Sequence, residues 1–120
     1  MKVLIVDDSE IIRKHLIQML SDLKEIEIVG EAKDVSGAIN SFRKHRPDAV
    51  ILDIRLPGGS GINVLEKIKN DSSNPIVIML TNYPYPQYRK KCEELGADFF
   101  FDKATEFEKV IDVFKKLINK

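Results

Sequence analysis

The chain has one cysteine, Cys92, so no disulfide can form within it, which fits a reducing compartment. It has no excess charge of either sign, because 19 Lys and Arg balance 19 Asp and Glu. That balance gives no general pull toward nucleic acid. No apolar run approaches the length of a membrane span. Met1–Val6 is apolar only until Asp7 and Asp8 interrupt it, so no secretory leader is expected. His15 and His45 have no zinc-ligand spacing and read as surface residues far from the acidic positions described below. Repeats, linkers and low-complexity tracts are also missing. What remains is a 120-residue chain, 43% hydrophobic and 32% charged, long enough to bury one core. The expectation is a single cytoplasmic domain over residues 1–120, with no direct nucleic-acid or membrane partner.

Short apolar runs alternate with longer amphipathic stretches. The runs are Val3–Val6, Ile26–Val29, Ala49–Leu52, Ile76–Leu80 and Phe99–Phe101. They are too short for typical helices and rich in β-branched or aromatic residues, so they read as strands. Most are continuously apolar, as in strands covered on both faces; Glu27 and Glu31 mark the second as a more exposed edge. Between them, Ile12, Leu16, Met19, Leu20 and Leu23 share one helical stripe, and Val35, Ala38, Ile39 and Phe42 another. Ile62, Leu65 and Ile68 form a third. A fourth helix is expected from about Pro86 to Leu95, ended by Gly96, and the fifth carries Val110 to Ile118. Ser9, Asp34 and Ser60 are N-cap candidates. This alternation predicts an α/β fold, a doubly wound (βα)5 unit with a five-stranded parallel sheet.

Ligands of such sheets collect at the carboxyl ends of the strands. Here those ends carry Asp7-Asp8, Asp53, Thr81-Asn82 and Asp102-Lys103. At about 4 Å, like charges repel by roughly 4 kcal/mol at an effective dielectric near 20, so gathered acids need compensation. A hard divalent cation supplies it, and magnesium pairs one or two carboxylates with phosphate oxygens. Lys103 adds a point charge for a phosphate oxygen and Thr81 a donor. A single Asp after a strand is often only a helix cap. Four strand ends with matching chemistry carry the argument.

The pieces Val3–Asp8, Asp53–Gly61, Leu80-Thr81, Gly96–Asp98 and Lys103 resemble the receiver domain of two-component response regulators, over the whole chain. The resemblance implies a flavodoxin-like fold with strand order 2-1-3-4-5. It makes Asp53 the phosphoacceptor for a histidine kinase or histidine phosphotransfer protein. Asp8, Asp53 and the backbone carbonyl of Arg55 would ligate Mg2+ or Mn2+, with Asp7 on a metal-bound water. Thr81 and Lys103 would contact the phosphoryl group. Thr81 and Phe100 would form the switch that alters the surface of the fourth and fifth units for an unknown downstream protein. Such a protein would catalyse its own phosphorylation and dephosphorylation at Asp53.

The chain departs from the family at Ala104, where receivers usually have a proline in a cis peptide, and at Asn82, usually a small residue. Without proline a cis bond costs several kcal/mol, which leaves the Lys103–Ala104 bond free to be trans. Arg55 and Tyr83, two residues past Asp53 and Thr81, are expected to flank the acyl phosphate and tune water access. Tyr83–Tyr88 reads as a proline-stiffened loop starting the fourth helix, with a tyrosine contact surface as the sharper reading. Arg89–Lys91 and Lys115-Lys116 read as solvated faces, and Cys92 as a partly buried, inert thiol. Pro57–Gly61 lacks the Lys-Ser/Thr of a P-loop and reads as a turn into the third helix. The chain ends at Lys120 just after the fifth helix, so no output domain is expected; the alternative is a receiver cut from a longer regulator with a DNA-binding output domain. A magnesium-dependent phosphohydrolase is the competing class, but Asp7-Asp8-Ser9 does not match its Asp-x-Asp-x-Thr pattern. A flavodoxin-like cofactor binder is disfavoured by two acids where it needs a phosphate-cradling loop.

Overall fold

A computed structural model describes residues 1–119; Lys120 lies outside them. Strands β1 (Lys2–Val6), β2 (Glu27–Ala32) and β3 (Ala49–Leu52) are followed by two short strands, β4 (Arg55–Leu56) and β5 (Gly59–Ser60), then by β6 (Ile76–Thr81) and β7 (Phe99–Asp102). Helices α1 (Glu10–Leu20), α2 (Val35–His45), α3 (Gly61–Lys69), α4 (Pro86–Glu94) and α5 (Lys109–Ile118) connect or close them. The main sheet is parallel with order β2-β1-β3-β6-β7, the expected 2-1-3-4-5 once the short β4–β5 pair is set apart.

Strand side chains alternate between two cores. Val3, Ile5, Ala49, Ile51, Ile78 and Leu80 face one side, where Leu16 and Leu20 of α1 and Val110, Val113 and Phe114 of α5 cover them. Leu4, Val6, Val50, Leu52, Val77 and Met79 face the other, under α2, α3 and Cys92 of α4. This is why the strands read as unbroken apolar runs: both faces are buried. Burying a Leu, Ile or Val contributes about 1.5–3 kcal/mol, and two such layers fix each strand's register against slipping.

Ser9, Asp34 and Ser60 cap α1, α2 and α3 as expected, accepting from the amides of Ile12, Gly37 and Ile62. Gly96 follows α4 at φ +94, the left-handed turn that ends the helix. Two expectations need correction. The second strand runs to Ala32 rather than Val29, because a register shift between Val3 and Leu4 lets it keep pairing with β1 through Gly30 and Glu31. Pro57–Gly61 is more than a turn: Arg55–Leu56 and Gly59–Ser60 form an antiparallel pair. Pro57 and Gly58 make its corner, and Gly58 at φ +87 supplies the left-handed conformation that position needs. The Pro57 carbonyl accepts from the Val35 amide at 3.1 Å, tying the hairpin to the start of α2.

Candidate functional site

The parallel ladder continues one residue past several strands. The Asp7 amide donates to Ala32 O at 3.0 Å, that of Asp53 to Val6 O at 3.0 Å and that of Lys103 to Thr81 O at 2.8 Å. Regular pairing therefore brings Asp7, Asp53, Thr81 and Lys103 to one rim. Asp7, Asp53, Thr81 and Lys103 are all buried, while Asp8 is exposed. One carboxylate oxygen from each of Asp7, Asp8 and Asp53 lies within 4.8 Å of the others.

Lys103 Nζ donates to Asp7 Oδ2 at 2.6 Å and Asp53 Oδ2 at 3.0 Å. The other oxygens are held by amides: Asp7 Oδ1 accepts from Ser9 at 2.9 Å and Asp53 Oδ1 from Ile54 at 2.7 Å. Burial pushes the Asp53 carboxyl upward; the charge and hydrogen bond of Lys103 oppose this, and Asp7 adds to it. Burial would lower the Lys103 ammonium, but its bonds to Asp7 and Asp53 outweigh that and raise it. One ammonium therefore faces two buried carboxylates, with a third beside them. The donor set is all oxygen, acidic and open to solvent on the Asp8 side, which suits a hard divalent cation.

Lys103 reaches this position although the Lys103–Ala104 peptide is trans. Ala104 has the amide that proline would lack, and it donates to Asp102 Oδ1 at 2.9 Å. Glu106 Oε1 in turn accepts from the Asp102 amide at 3.0 Å. Those two side chains set the loop that presents Lys103. Gly61 shapes the other side. A Cβ there would lie 1.8 Å from the Asp53 carbonyl oxygen, so only glycine lets α3 start against the strand end.

Thr81 Oγ1 accepts from the Tyr83 amide at 3.0 Å, leaving its hydroxyl proton free to donate elsewhere. The Arg55 guanidinium stacks on the Tyr83 ring with its carbon 3.8 Å from the centroid. Tyr83, Tyr85 and Tyr88 then form a run of neighbouring rings, with centroids 6.2 and 5.6 Å apart. Asn82 is exposed and lines a cleft of about 740 Å³ together with Lys103, Ile12, His15, Met19 and Phe107.

Three sequence readings change. His15 is a surface residue, but it is not remote from the rim: it stacks on Phe107 at 4.8 Å in the cleft that Lys103 also lines. Cys92 is fully rather than partly buried, and burial pushes its thiol up to about 11. Arg89 is not part of a solvated face. Its guanidinium lies 4.5 Å from the centroid of the buried Phe100 ring and donates to the Phe100 carbonyl at 3.3 Å. A helical offset of three from buried Cys92 was the available signal, masked by the two lysines that follow.

Comparison with known proteins agrees with this geometry. The family model described as the response regulator receiver domain matches residues 3–115. The chain is 36% identical over 119 residues to the sensory transduction protein LytT of Bacillus anthracis, covering 97% of this chain and 46% of that protein. The chain thus spans about half the length of that curated relative. The response regulator domain of Thermotoga maritima CheB superposes with a TM-score of 0.85 at 26% identity, covering 99% of this chain and 93% of that one. A chain of the CheX–CheY–BeF3–Mg2+ complex from Borrelia burgdorferi does so at 0.80 and 34% identity, over 94% and 88%.

Proposed function

The chain belongs to the response regulator receiver domain family of two-component signalling, and from that premise we propose that Asp53 takes a phosphoryl group from a histidine kinase or histidine phosphotransfer protein. The observation that carries this reading is the convergence of Asp7, Asp8 and Asp53 with Lys103 and Thr81 at the carboxyl rim. An oxygen of Asp53 attacks phosphorus, the P–N bond breaks, and the imidazole nitrogen keeps the electron pair. A carboxylate is a weak nucleophile, but phosphohistidine is an activated donor, so positioning and charge neutralisation carry the step.

Asp8, Asp53 and the Arg55 backbone carbonyl would hold Mg2+ or Mn2+, with Asp7 on a metal-bound water; the acidic all-oxygen set supports this, as does the solved neighbour with Mg2+. When bound, the cation would neutralise charge on the phosphoryl oxygens. Lys103 releases part of its hold on Asp53 to pair with the phosphoryl group, and Thr81 donates its hydroxyl proton. The Thr81–Tyr83 hydrogen bond transmits that movement to the Tyr83 backbone. Arg55 and Tyr83, stacked on each other at 3.8 Å, would flank the acyl phosphate and slow the water that hydrolyses it. Withdrawal of Thr81 leaves room for Phe100, whose repacking changes the α4–β7–α5 surface offered to a downstream protein. The signal leaves through that surface whether its recipient is a separate protein or a further domain. A cytoplasmic location suits a histidine kinase as donor, and no helix among the described residues is long and apolar enough to cross a membrane.

The test is chemical. After incubation with phosphoramidate and Mg2+, borohydride reduction should mark Asp53 and no other residue in a peptide map. A mark elsewhere, or turnover of phosphoramidate with no acyl intermediate, would reject the assignment.

A further inference from the structure

Asp8 is the exposed member of the acid cluster, yet its backbone is fixed on both sides by side chains. On the carboxyl side, the Ser9 amide donates to Asp7 Oδ1 at 2.9 Å. On the amino side, Arg13 Nη1 donates to the Asp7 carbonyl oxygen at 2.7 Å. The two peptide planes that flank Asp8 are thus both clamped, and their orientation sets where its carboxylate can go. Arg13 is itself held by Glu31 of β2, with Nε 3.0 Å from Oε1.

Only the arginine of this pair is sheltered, since Glu31 is 42% exposed. The Arg13 side chain is 14% exposed, whereas Lys14 and Glu10, one residue along α1, pair with 72% and 67% exposure. A cation near the start of a helix also opposes the macrodipole. The position makes sense through geometry: a guanidinium sends donors in two directions at once, one to the strand-end carbonyl and one to the neighbouring strand. A lysine ammonium is a point donor and cannot reproduce that fork. Arg13 thereby ties the β1–α1 corner to the end of β2.

Resting on the reading of the rim as a cation site, we propose that Arg13 is a positioning residue: it orients the Asp7–Asp8 peptide so that Asp8 meets Asp7 and Asp53 around the metal. Its charge acts in the opposite direction. A guanidinium near the rim repels a divalent cation, so removing a mere charge tightens binding, while removing a positioning group weakens it. Variants that leave the net charge unchanged therefore report the positioning role alone. Loss of groups that orient metal ligands typically weakens metal affinity by about 10–100-fold.

The test is a Mg2+ titration followed by amide NMR shifts of Asp8 and Asp53, run on wild type, Arg13→Lys, and Arg13→Ala combined with Glu31→Gln. Arg46→Ala, which removes an ion pair elsewhere on the surface, is the control. Both Arg13 variants should bind Mg2+ roughly tenfold more weakly, with the control unchanged. Arg13→Lys keeps the charge and most of the packing, so it reports even where the double variant folds poorly. Wild-type binding with equal or tighter binding in Arg13→Lys would overturn the role of Arg13 alone. No Mg2+ response in the wild type would overturn the cation site and the proposal with it.

Discussion

Aspartates flank strands at both ends of this sheet, and the two ends treat them in opposite ways. At the amino end, Asp48 accepts from the Lys2 amide at 2.8 Å, and Asp98 accepts from the Val77 amide at 2.9 Å and from Lys69 at 2.8 Å. Asp71 takes two donors from Arg46. Asp48 and Asp98 are exposed and Asp71 is half-buried, and each has its own donors. At the carboxyl end, Asp7 and Asp53 are buried and share one ammonium, with Asp8 close by. Asp48 and Asp98 hold strand amides, and Asp71 anchors Arg46 in the turn before β6. The carboxyl-end acids are short of positive charge, a shortage that a divalent cation would fill, and only then would the rim accept an anionic phosphoryl group.

The largest expected effect of that difference concerns the two lysines. Lys103→Ala leaves two buried carboxylates without their shared partner and should cost about 3 kcal/mol in metal-free buffer. Part of that loss should return on adding Mg2+. Lys69→Ala removes a partner from the exposed Asp98 and should cost only about 1 kcal/mol, with no response to Mg2+. Urea unfolding with and without Mg2+ measures both.

Next comes a difference of sign. Burial raises the Asp53 carboxyl above its ordinary value. An acid raised in the folded state favours folding while protonated and disfavours it once pH passes its unfolded value. Asp53→Asn should therefore stabilise the metal-free protein at neutral pH and raise its melting temperature. Asp98→Asn should destabilise it, by about 1 kcal/mol, because it weakens the bonds to Lys69 and Val77. Calorimetry of the two variants in EDTA would show opposite shifts.

The arginines extend the contrast. Arg46 covers Phe42 at 5.2 Å and is anchored by Asp71; Arg89 covers Phe100 at 4.5 Å, with the Phe100 carbonyl as its hydrogen-bond partner. Arg89→Ala should lower stability by about 0.5–1 kcal/mol and loosen Phe100 from its buried position. A fluorine label on Phe100 would report this as exchange broadening; an unchanged line would mean that Arg89 does not hold the ring.

The smallest effect is a pH dependence. Its bonds to Arg46 and Ser73 hold the Asp71 carboxyl well below the usual carboxylate range. A lowered carboxyl contributes stability above its unfolded value and loses it as pH falls through its folded value. Asp71→Asn should thus melt slightly below wild type at pH 7, with the gap closing only under strongly acidic conditions. A gap that closes near pH 5 would contradict the pairing.

How much of this was legible in the sequence follows from the range of each interaction. Continuous apolar runs and helical stripes are local, so the order of elements and the rim residues Asp7, Asp8, Asp53, Thr81 and Lys103 could be read directly. The short β4–β5 pair was hidden because two-residue strands carry no periodicity. Arg13 and Arg89 were hidden because their partners, Glu31 and the Phe100 carbonyl, lie 18 and 11 residues away. The need for glycine at Gly61 depends on the Asp53 carbonyl, which only the folded chain places there. The family's usual proline at Ala104 also misleads in isolation, since Asp102 and Glu106 build that loop by side-chain bonds instead.

The most direct test of the central claim compares strand-flanking acids from the two ends. Wild type, Asp53→Asn and Asp48→Asn would be incubated with acetyl phosphate, with and without Mg2+, and weighed intact. Wild type and Asp48→Asn should each gain one phosphoryl group, only with Mg2+, and Asp53→Asn none. Equal labelling of Asp53→Asn, or labelling that ignores Mg2+, would contradict it.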